Sequence, residues 1–392
     1  MSTTRQIMVV GASVAAAAFI GQLRADGYDG SVVVVERDPD MPYDRPPLSK
    51  EFLTASEARP EAPWWTGGCD IVRGVAERVD PANRALTVRK SSGQIDELMA
   101  DHLVVATGSD PVRLPGQPDG VMSLRTAADA RAVRENARPG RRAVVLGAGT
   151  VGTELASSLS ASGTDVALVD LADRPLDRFF AGHLGDEAAE WIRSGGVQLH
   201  LSTRVGEIHR RSTGWVIETD GPTLTEADLV VCAVGTRPAL AWLDGLDLDT
   251  RDGVACDASG AALTNGGDIV PGLHAIGDAA RWTGAEYRRE DWTSAQLQGR
   301  HLARRLSGLT PLVNPSAERP YFWSRQFGRR IQVLGKPVRE ATLVTHVQDP
   351  EEAAAFYTLE HDGDTVAWIS INRPREFALA LRGAVAGSRK VT

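Results

Sequence analysis

Two segments of the chain share one pattern: a short apolar run, a turn of small residues, an alanine-rich stretch and a second apolar run. The first begins with IMVVGASVAA at 7–16 and reaches its second apolar run at 31–36. The second begins with AVVLGAGTVG at 143–152 and reaches its second run at 165–170. Each segment therefore predicts strand, turn, helix and strand, and such units require a parallel sheet.

The second glycine turn carries a complete dinucleotide-binding pattern. Gly147, Gly149 and Gly152 have GxGxxG spacing between a predicted strand and a predicted helix. Asp170 closes the next strand, where a carboxylate can accept hydrogen bonds from a ribose hydroxyl. Asp170 would repel a phosphate on that hydroxyl, which favours NADH over NADPH. Arg174 lies four residues further on and could bind such a phosphate, so NADPH stays a second possible donor.

The first glycine turn is a weaker match when it is taken alone. It reads Gly11-x-Ser13-x-x-Ala16, so small residues replace two of the three glycines. Glu36 ends the next strand and is the candidate to bind a ribose hydroxyl. Serine and alanine still allow close approach and close helix packing. The second turn, together with the Gly-Asp pair at 277–278, strengthens the interpretation. Two nucleotide units predict one cofactor that stays bound and one that visits.

The remaining apolar runs indicate how the chain is divided. Runs at 101–109 and 227–238 resemble return strands, and 273–276 resembles the sheet of the first unit. We therefore expect an α/β fold with two Rossmann-like nucleotide-binding domains, the first split by the insertion of the second, followed by a C-terminal α+β domain. The expected boundaries are 1–112 with 241–316 for the first domain, 113–240 for the second and 317–392 for the third.

Composition limits the class of protein. The chain is 42% hydrophobic and 24% charged, as expected of a globular protein, and its formal charge of −8 argues against nucleic acid as the main partner. Cys69, Cys232 and Cys256 show no metal-binding spacing, so we expect a reducing, cytoplasmic compartment and no metal site. The apolar stretch 14–20 is too short to cross a membrane.

The string PYDRPPLSK at 42–50 carries a family resemblance. It resembles the FAD-dependent, NAD(P)H-linked ferredoxin reductases of oxygenase systems, which include the putidaredoxin, rhodocoxin and biphenyl dioxygenase reductases. The strings EDWTSA at 290–295 and PYFWS at 320–324 follow in the order of that family. The resemblance implies a glutathione-reductase-like architecture and electron transfer from NADH through FAD to a ferredoxin that serves a cytochrome P450 or a Rieske oxygenase.

The resemblance also assigns roles to residues. Those implied to bind FAD are Gly11, Ser13, Val14, Ala15, Ala16, Glu36, Arg37, Arg45, Pro46, Lys50, Ala76, Ala106, Thr107, Gly108, Arg125, Gly277, Asp278 and Trp292. Those implied to bind NAD(H) are Gly147, Gly149, Thr150, Val151, Gly152, Glu154, Asp170, Arg174 and Gly235.

Lys50 and Glu154 are the implied catalytic pair, because the resemblance brings them together near the flavin and the nicotinamide. Such a pair could orient the carboxamide and stabilise the reduced flavin; a plain structural ion pair is the alternative. Disulfide-reducing relatives keep two redox cysteines where this chain has PPLS at 46–49. Electrons must therefore leave for an external acceptor.

A small acidic ferredoxin is the expected partner, and an acidic reductase needs a local basic face to attract it. The candidate docking residues are Arg300, Arg304, Arg329 and Arg330, although arginines of this kind also occur on ordinary solvated surfaces. We expect no nucleic acid and no membrane as partners.

Two residues depart from the family pattern. Arg37 and Arg325 stand where members of the resembled family often carry an acid, so the departures concern the adenosine site and the partner interface. Two other functions stay open: a flavin reductase for another acceptor, such as rubredoxin, a nitrite reductase partner or oxygen, and a redox-switch binding protein that resembles apoptosis-inducing factor.

Overall fold

The structure, a computed structural model, describes residues 6–54, 62–285, 287–311, 315–316 and 318–388. The chain divides into two compact units. Unit 1 comprises Met1–Asp44, Glu61–Asp110 and Arg237–Glu318, and unit 2 comprises Arg45–Pro60, Pro111–Thr236 and Arg319–Thr392.

The described residues form strands β1 to β25. The first fourteen are β1 (Ile7–Val10), β2 (Val32–Glu36), β3 (Asp70–Asp80), β4 (Ala85–Lys90), β5 (Ile95–Met99), β6 (His102–Val105), β7 (Ser109–Pro111), β8 (Met122–Ser123), β9 (Arg142–Leu146), β10 (Asp165–Val169), β11 (Gln198–His200), β12 (Val205–Arg211), β13 (Gly214–Thr219) and β14 (Leu224–Ala227). The others are β15 (Leu229–Cys232), β16 (Thr236–Pro238), β17 (Val254–Cys256), β18 (Ala261–Leu263), β19 (Ile269–Ala275), β20 (Ala280–Trp282), β21 (Tyr321–Gln326), β22 (Arg329–Gly335), β23 (Thr342–Asp349), β24 (Ala354–His361) and β25 (Asp364–Ile371).

The same residues form α-helices α1 to α8. They are α1 (Val14–Ala25), α2 (Glu51–Thr54), α3 (Ala127–Asn136), α4 (Thr150–Ala161), α5 (Asp177–Phe180), α6 (Gly185–Ser194), α7 (Trp292–Leu306) and α8 (Pro374–Ser388).

Unit 1 is built on one mixed sheet of ten strands, in the order β20-β17-β18-β19-β6-β1-β2-β3-β4-β5. All four residues of β1 are buried, as expected of a parallel strand that is covered on both faces. In register, Ile7 lies between Val32 of β2 and His102 of β6, and both neighbours run parallel to β1. Helix α1 packs against α7. The first predicted βαβ unit is therefore present.

The described residues of unit 2 form three sheets. A parallel sheet has the order β11-β10-β9-β15-β8, and its β9–α4–β10 segment is the second predicted βαβ unit. Strands β12, β13 and β14 form a small antiparallel sheet. The C-terminal residues form an antiparallel sheet in the order β21-β22-β25-β24-β23, followed by α8.

The C-terminal sheet shares a core with α5, α6 and the loop before them. Buried side chains of Leu176, Phe180 and Leu184 form one cluster with residues of the sheet such as Ile331 and Ile369. Arg339 adds an ion pair to Asp177, with 2.8 Å between its guanidinium nitrogen and a carboxylate oxygen. Burial of this apolar surface is what fixes the C-terminal sheet within unit 2.

The expected fold class is confirmed: an α/β protein with two nucleotide-binding folds and a C-terminal α+β region. The strand expected at 31–36 begins one residue later, at Val32. The three-domain boundaries stay a prediction. Among the described residues, no helix is long and apolar enough to cross a membrane.

Two histidines meet inside the sheet of unit 1. His102 begins β6, His274 lies on the neighbouring β19, and 3.1 Å separates Nδ1 of the first from Nε2 of the second. Burial and, to a lesser degree, the nearby His102 lower the pKa of His274 to about 4, against a weaker opposing effect of Asp257. His274 is therefore neutral in the folded protein at neutral pH.

We expect His274 to make stability depend on pH. An unfolded histidine binds a proton near its ordinary pKa of 6.5, whereas the folded one does so only near 4. The free energy of unfolding should therefore fall as pH drops from 6.5 to 4, by about 3 kcal/mol in total, and the contribution should be flat outside this window. His274→Gln should remove this slope from thermal unfolding midpoints. His361→Gln, at a more exposed histidine, is the matched control; equal slopes in all three proteins would contradict the prediction.

Candidate active site

The glycine turn of unit 1 is closed by the acid that ends β2. Gly11 has φ +108°, and a Cβ there would lie 2.3 Å from the carbonyl oxygen of Ala106, so this position requires glycine. The backbone N–H of Ala12 donates to Oε2 of Glu36 at 2.7 Å. The N–H of Asp38 donates to Oε1 of the same carboxylate at 2.8 Å.

The glycine turn of unit 2 repeats this construction. Gly147 has φ +105°, and a Cβ there would lie 2.5 Å from the carbonyl oxygen of Ala233. The N–H of Ala148 donates to Asp170, the acid that ends β10. The N–H of Ala172 donates to Oδ1 of Asp170 at 2.7 Å. In both turns the acid is fixed by backbone donors, and each carboxylate has acceptor positions beyond the two used here.

The helices that follow these turns begin without a side-chain cap. The side chain of Ser13 before α1 accepts no backbone N–H of the first turn, and Gly149 before α4 has no side chain that could do so. By contrast, Thr126 caps α3 and Asp291 caps α7. The first N–H groups of a helix need an external acceptor, and a phosphate supplies one. The two turns therefore fit the pyrophosphate of a dinucleotide.

Apolar side chains are exposed at the edge of the unit 2 sheet where parallel strands end. Val151, in the first turn of α4 after β9, is 44% exposed, and Leu171 after β10 and Val234 after β15 are 57% and 39% exposed. A Cβ built at Gly149 would meet no atom within 4 Å, so the space before this turn is open. Ligands of open α/β sheets bind at this edge, and flat apolar surface suits adenine and nicotinamide rings.

Arg174 is engaged by its own loop. Its Nη1 donates to the carbonyl of Gly182 at 2.9 Å. A Cβ at Gly185 would lie 2.7 Å from Cδ of Arg174, so the side chain is packed closely against the start of α6. The guanidinium of Arg174 therefore already uses one of its donors within the loop.

The other flavin candidates of unit 1 follow the strand ends. Ala106, Thr107 and Gly108 come directly after β6, and Gly277 and Asp278 follow one residue after the end of β19, which pairs with β6. These candidates therefore lie at the same edge of the sheet, because both strands run parallel.

The remaining flavin candidates of unit 1 have the following surroundings. The N–H of Gly277 donates to Gln298 Oε1 at 2.7 Å. Trp292 begins α7 and is 36% exposed. Ala76 is half-buried in the middle of β3. Arg37, one of the departures from the family pattern, forms an ion pair with Asp110.

Lys50 and Glu154 form a buried ion pair in unit 2. Nζ of Lys50 lies 2.6 Å from Oε2 of Glu154, and the two side chains are 8% and 4% exposed. Residues 46–49 form a single helical turn that Lys50 ends. The turn begins with two prolines, which favour the first positions of a helix. Glu154 lies in the second turn of α4, on its buried face.

Lys50 has three further contacts, one of which is a hydrogen bond from Nζ to the hydroxyl oxygen of Ser49 at 3.4 Å. Nζ donates to the carbonyl of Pro46 at 2.9 Å and lies 5.2 Å from the centre of the Trp323 ring. A cation over an aromatic face is stabilised by the ring quadrupole. Arg325, the other departure from the family pattern, also lies beside Trp323 and donates to Glu51 at 2.7 Å.

Two serines that the sequence analysis did not single out complete the site. The hydroxyl of Ser49 donates to Oε2 of Glu154 at 2.5 Å, and that of Ser324 donates to Oε1 at 2.6 Å. Both lie in the strings that carry the family resemblance. Their positions in the sequence give no sign that the hydroxyls converge on one carboxylate, because the two strings lie near opposite ends of the chain and only folding brings them together.

Arg45, Pro46 and Arg125 belong to unit 2. Arg45 and Pro46 precede Lys50 in the same turn, and Arg125 stands just before the capped start of α3, where its N–H donates to Asp129 at 3.0 Å. Thr150 begins α4, and Gly235 follows β15 with φ +122°.

The four arginines expected to dock a partner differ in their contacts. Arg304 donates to the carbonyl of Thr310 at 2.9 Å and to Asp26 at 3.4 Å. Arg329 donates to the carbonyl of Phe327 at 2.7 Å and stacks over Trp191. Arg300 and Arg330 are exposed.

Comparison with known proteins places this site in a family. Residues 5–299 match the pyridine nucleotide-disulphide oxidoreductase family, and residues 321–391 match the reductase C-terminal family. The chain belongs to the pyridine nucleotide-disulphide oxidoreductase family. Within it, the chain carries the additional reductase C-terminal region, which corresponds to the sheet β21–β25 and α8.

The similar proteins include a terpredoxin reductase and ferredoxin reductases of oxygenase systems. Terpredoxin reductase of a Pseudomonas species is 32% identical, covering 96% of this chain and 91% of the relative. The ferredoxin–NAD(+) reductase component of the anthranilate 1,2-dioxygenase system of Burkholderia cepacia is 31% identical, covering 97% and 94%. The crystal structure of the ferredoxin reductase for the CYP199A2 system from Rhodopseudomonas palustris is 27% identical, with a TM-score of 0.82 and coverage of 94% and 91%.

These findings confirm the resemblance stated from the sequence. Membership of this family makes the chain an oxidoreductase and implies FAD and NAD(H) as its cofactors. The uncapped helices α1 and α4, each behind a glycine turn closed by an acid, fit two such dinucleotides. The individual site residues stay predictions.

Proposed function

We propose that this chain is a ferredoxin reductase that takes electrons from NADH through FAD and delivers them to a small ferredoxin serving a cytochrome P450 or a Rieske oxygenase. The observation that carries the proposal is the buried pair of Lys50 and Glu154, which lies one helical turn beyond a complete dinucleotide turn. A buried ion pair is costly to maintain, and charged groups removed from water in this way are common at functional sites.

The cysteines support an external acceptor. Cys69, Cys232 and Cys256 are the only cysteines in the sequence, and each is a free thiol. Burial raises the pKa of the Cys232 and Cys256 thiols, which makes them poor nucleophiles. The chain therefore lacks the dithiol that disulfide chemistry would need, and electrons must pass to another molecule.

NADH is the proposed donor. Asp170 is held by two backbone donors at the point where a ribose would bind, and a 2′-phosphate there would meet its negative charge. Arg174 donates to Gly182 and is packed against the start of α6, so it is poorly placed to offset that repulsion. Both contacts favour a free ribose hydroxyl.

FAD is the proposed resident cofactor, held by residues of unit 1 at the turn of Gly11, by Glu36, and by the strand ends at 106–108 and 277–278. When bound, FAD accepts two electrons as a hydride and releases them singly. The assignments of Arg45, Pro46, Ala76, Arg125 and Trp292 to this cofactor are part of the proposal.

Lys50 and Glu154 are proposed to act at the nicotinamide. The Glu154 carboxylate is an acceptor for the carboxamide N–H, and Lys50 supplies the positive charge that balances this carboxylate in its buried position. Fixing the ring in this way serves hydride transfer, because that step depends on the distance and orientation of two rings.

The acceptor is proposed to be a ferredoxin because the similar proteins include ferredoxin reductase components of a dioxygenase and a P450 system. The chain has a net charge of −8, so an acidic partner needs a local patch of cations. Arg300 and Arg330 are exposed and suited to docking, whereas Arg304 and Arg329 are partly committed within the chain.

The proposed function predicts a yellow protein that NADH bleaches. Anaerobic titration should reduce the bound flavin with about one equivalent of NADH, and NADPH should do so at least tenfold less efficiently, because Asp170 repels the 2′-phosphate. Cytochrome c reduction should require an added [2Fe–2S] ferredoxin. Fast reduction without ferredoxin would favour a different acceptor, and slow turnover with a long-lived complex would favour a redox-switch protein.

Lys50→Ala should slow flavin reduction by NADH at least tenfold, because the buried Glu154 carboxylate would lose the cation that balances it. Stopped-flow absorbance measures this rate directly. Lys90→Ala is the matched control, since Lys90 is also ion-paired, to Asp96 at 2.5 Å, but on the surface of unit 1. A rate for Lys50→Ala equal to that of the control would remove Lys50 from the mechanism.

Charge reversal should separate docking arginines from surface arginines. Arg300→Glu with Arg330→Glu should raise the KM for ferredoxin severalfold and weaken its dependence on salt, while flavin reduction by NADH stays unchanged. Arg78→Glu, at an arginine of β3 in unit 1, is the control. If the double variant keeps both the KM and the salt dependence, these arginines are ordinary solvated residues.

A further inference from the structure

The carboxylate of Glu154 is held on both oxygens by side chains from two other segments of unit 2. Oε2 accepts from Lys50 at 2.6 Å and from Ser49 at 2.5 Å, and Oε1 accepts from Ser324 at 2.6 Å. We propose that Ser324, in the C-terminal sheet, is a positioning residue that fixes the plane of the Glu154 carboxylate for the nicotinamide. The inference rests on the function proposed above and goes beyond it.

Ser324 controls a freedom that the other two donors leave open. The terminal torsion of a glutamate is broad, so a carboxylate bound through one oxygen can still turn about that contact. Lys50 and Ser49 both bind Oε2. Ser324 binds the other oxygen and therefore defines the plane. Each carboxylate oxygen can accept two hydrogen bonds, so Oε1 keeps one acceptor position for a ligand N–H.

Gln326 sets the direction of the Ser324 hydroxyl. Its Nε2 donates to Oγ of Ser324 at 3.1 Å, so the serine oxygen accepts there and its proton is directed to Glu154. Side chains alternate along a strand, which places Ser324 and Gln326 on the same, buried face of β21. They are 0% and 4% exposed, so water does not compete for these contacts.

A second buried serine in the same sheet shows a different arrangement. Ser370 of β25 is also 0% exposed, but its hydroxyl donates to the carbonyl of Arg373, three residues away, at 2.9 Å. That bond closes a local turn. Ser324 instead reaches a carboxylate 170 positions away in sequence, on the helix that follows the dinucleotide turn.

The test is Ser324→Ala in the purified flavoprotein, with two readouts. Loss of a hydrogen bond to a charged group should reduce the limiting rate constant of flavin reduction by NADH about tenfold or more. By calorimetry, NAD⁺ should bind severalfold more weakly, while ADP-ribose, which lacks the nicotinamide ring, should bind unchanged. Ser324→Thr keeps the hydroxyl and should restore both values, and Ser370→Ala should behave as the unmodified protein.

A double-variant background shows whether Ser324 acts through Glu154. Lys50→Met with Glu154→Leu replaces both charges by apolar side chains of similar size. Adding Ser324→Ala to that background should not change NAD⁺ affinity any further. The same loss in both backgrounds would overturn the proposal, as would equal losses for NAD⁺ and ADP-ribose or an effect of Ser370→Ala as large as that of Ser324→Ala.

Gln326→Met keeps the proposal testable if Ser324→Ala does not fold. It removes the donor that directs the Ser324 hydroxyl, so NAD⁺ should bind more weakly while ADP-ribose binding stays unchanged. Unchanged NAD⁺ binding would overturn the proposal. The two hypotheses fail differently. If NADH does not bleach the unmodified protein, the proposed function fails, whereas normal bleaching in both the unmodified protein and Ser324→Ala defeats only the role of Ser324.

Discussion

A charged pair that is almost fully removed from water constrains the whole of unit 2. Lys50 and Glu154 are 8% and 4% exposed, and charges at that depth are tolerated only when their remaining donors and acceptors are satisfied. The chain satisfies them from three segments: the turn at 46–49, helix α4 and strand β21. The packing of the C-terminal sheet against α5 and α6 holds β21 within the same unit. The site is therefore a product of the fold of unit 2 and not of any one motif.

The two glycine turns show how one physical solution is used twice. In each, glycine is required because a side chain would collide with the carbonyl of a neighbouring strand, and the acid that ends the next strand binds a backbone N–H of the turn. Both helices then begin without a side-chain cap. The replacement of two glycines by Ser13 and Ala16 in the first turn leaves this construction intact, because the glycine that meets the neighbouring carbonyl is Gly11.

The arginines illustrate the opposite case, where identical residue types have different surroundings. Arg300 and Arg304 stand four apart on α7, and yet Arg300 is exposed while Arg304 is bound to Thr310 and Asp26. Arg325 is also exposed, and it pairs with Glu51 beside Trp323. A basic cluster in sequence is therefore a poor guide to a basic face, because internal carbonyls and carboxylates compete for the same guanidinium groups.

The sequence by itself determined the two nucleotide-binding folds and the family. Local sequence patterns predict these features, because apolar runs, glycine spacing and the acids at strand ends each span only a few residues. Only the tertiary structure decided that Ser49 and Ser324 bind one carboxylate, that Arg174 is tied to Gly182, and that Val151, Leu171 and Val234 share an exposed edge. The partners in these contacts are selected by packing, and the two serine contacts join segments that are distant in the sequence, so local sequence patterns do not predict them.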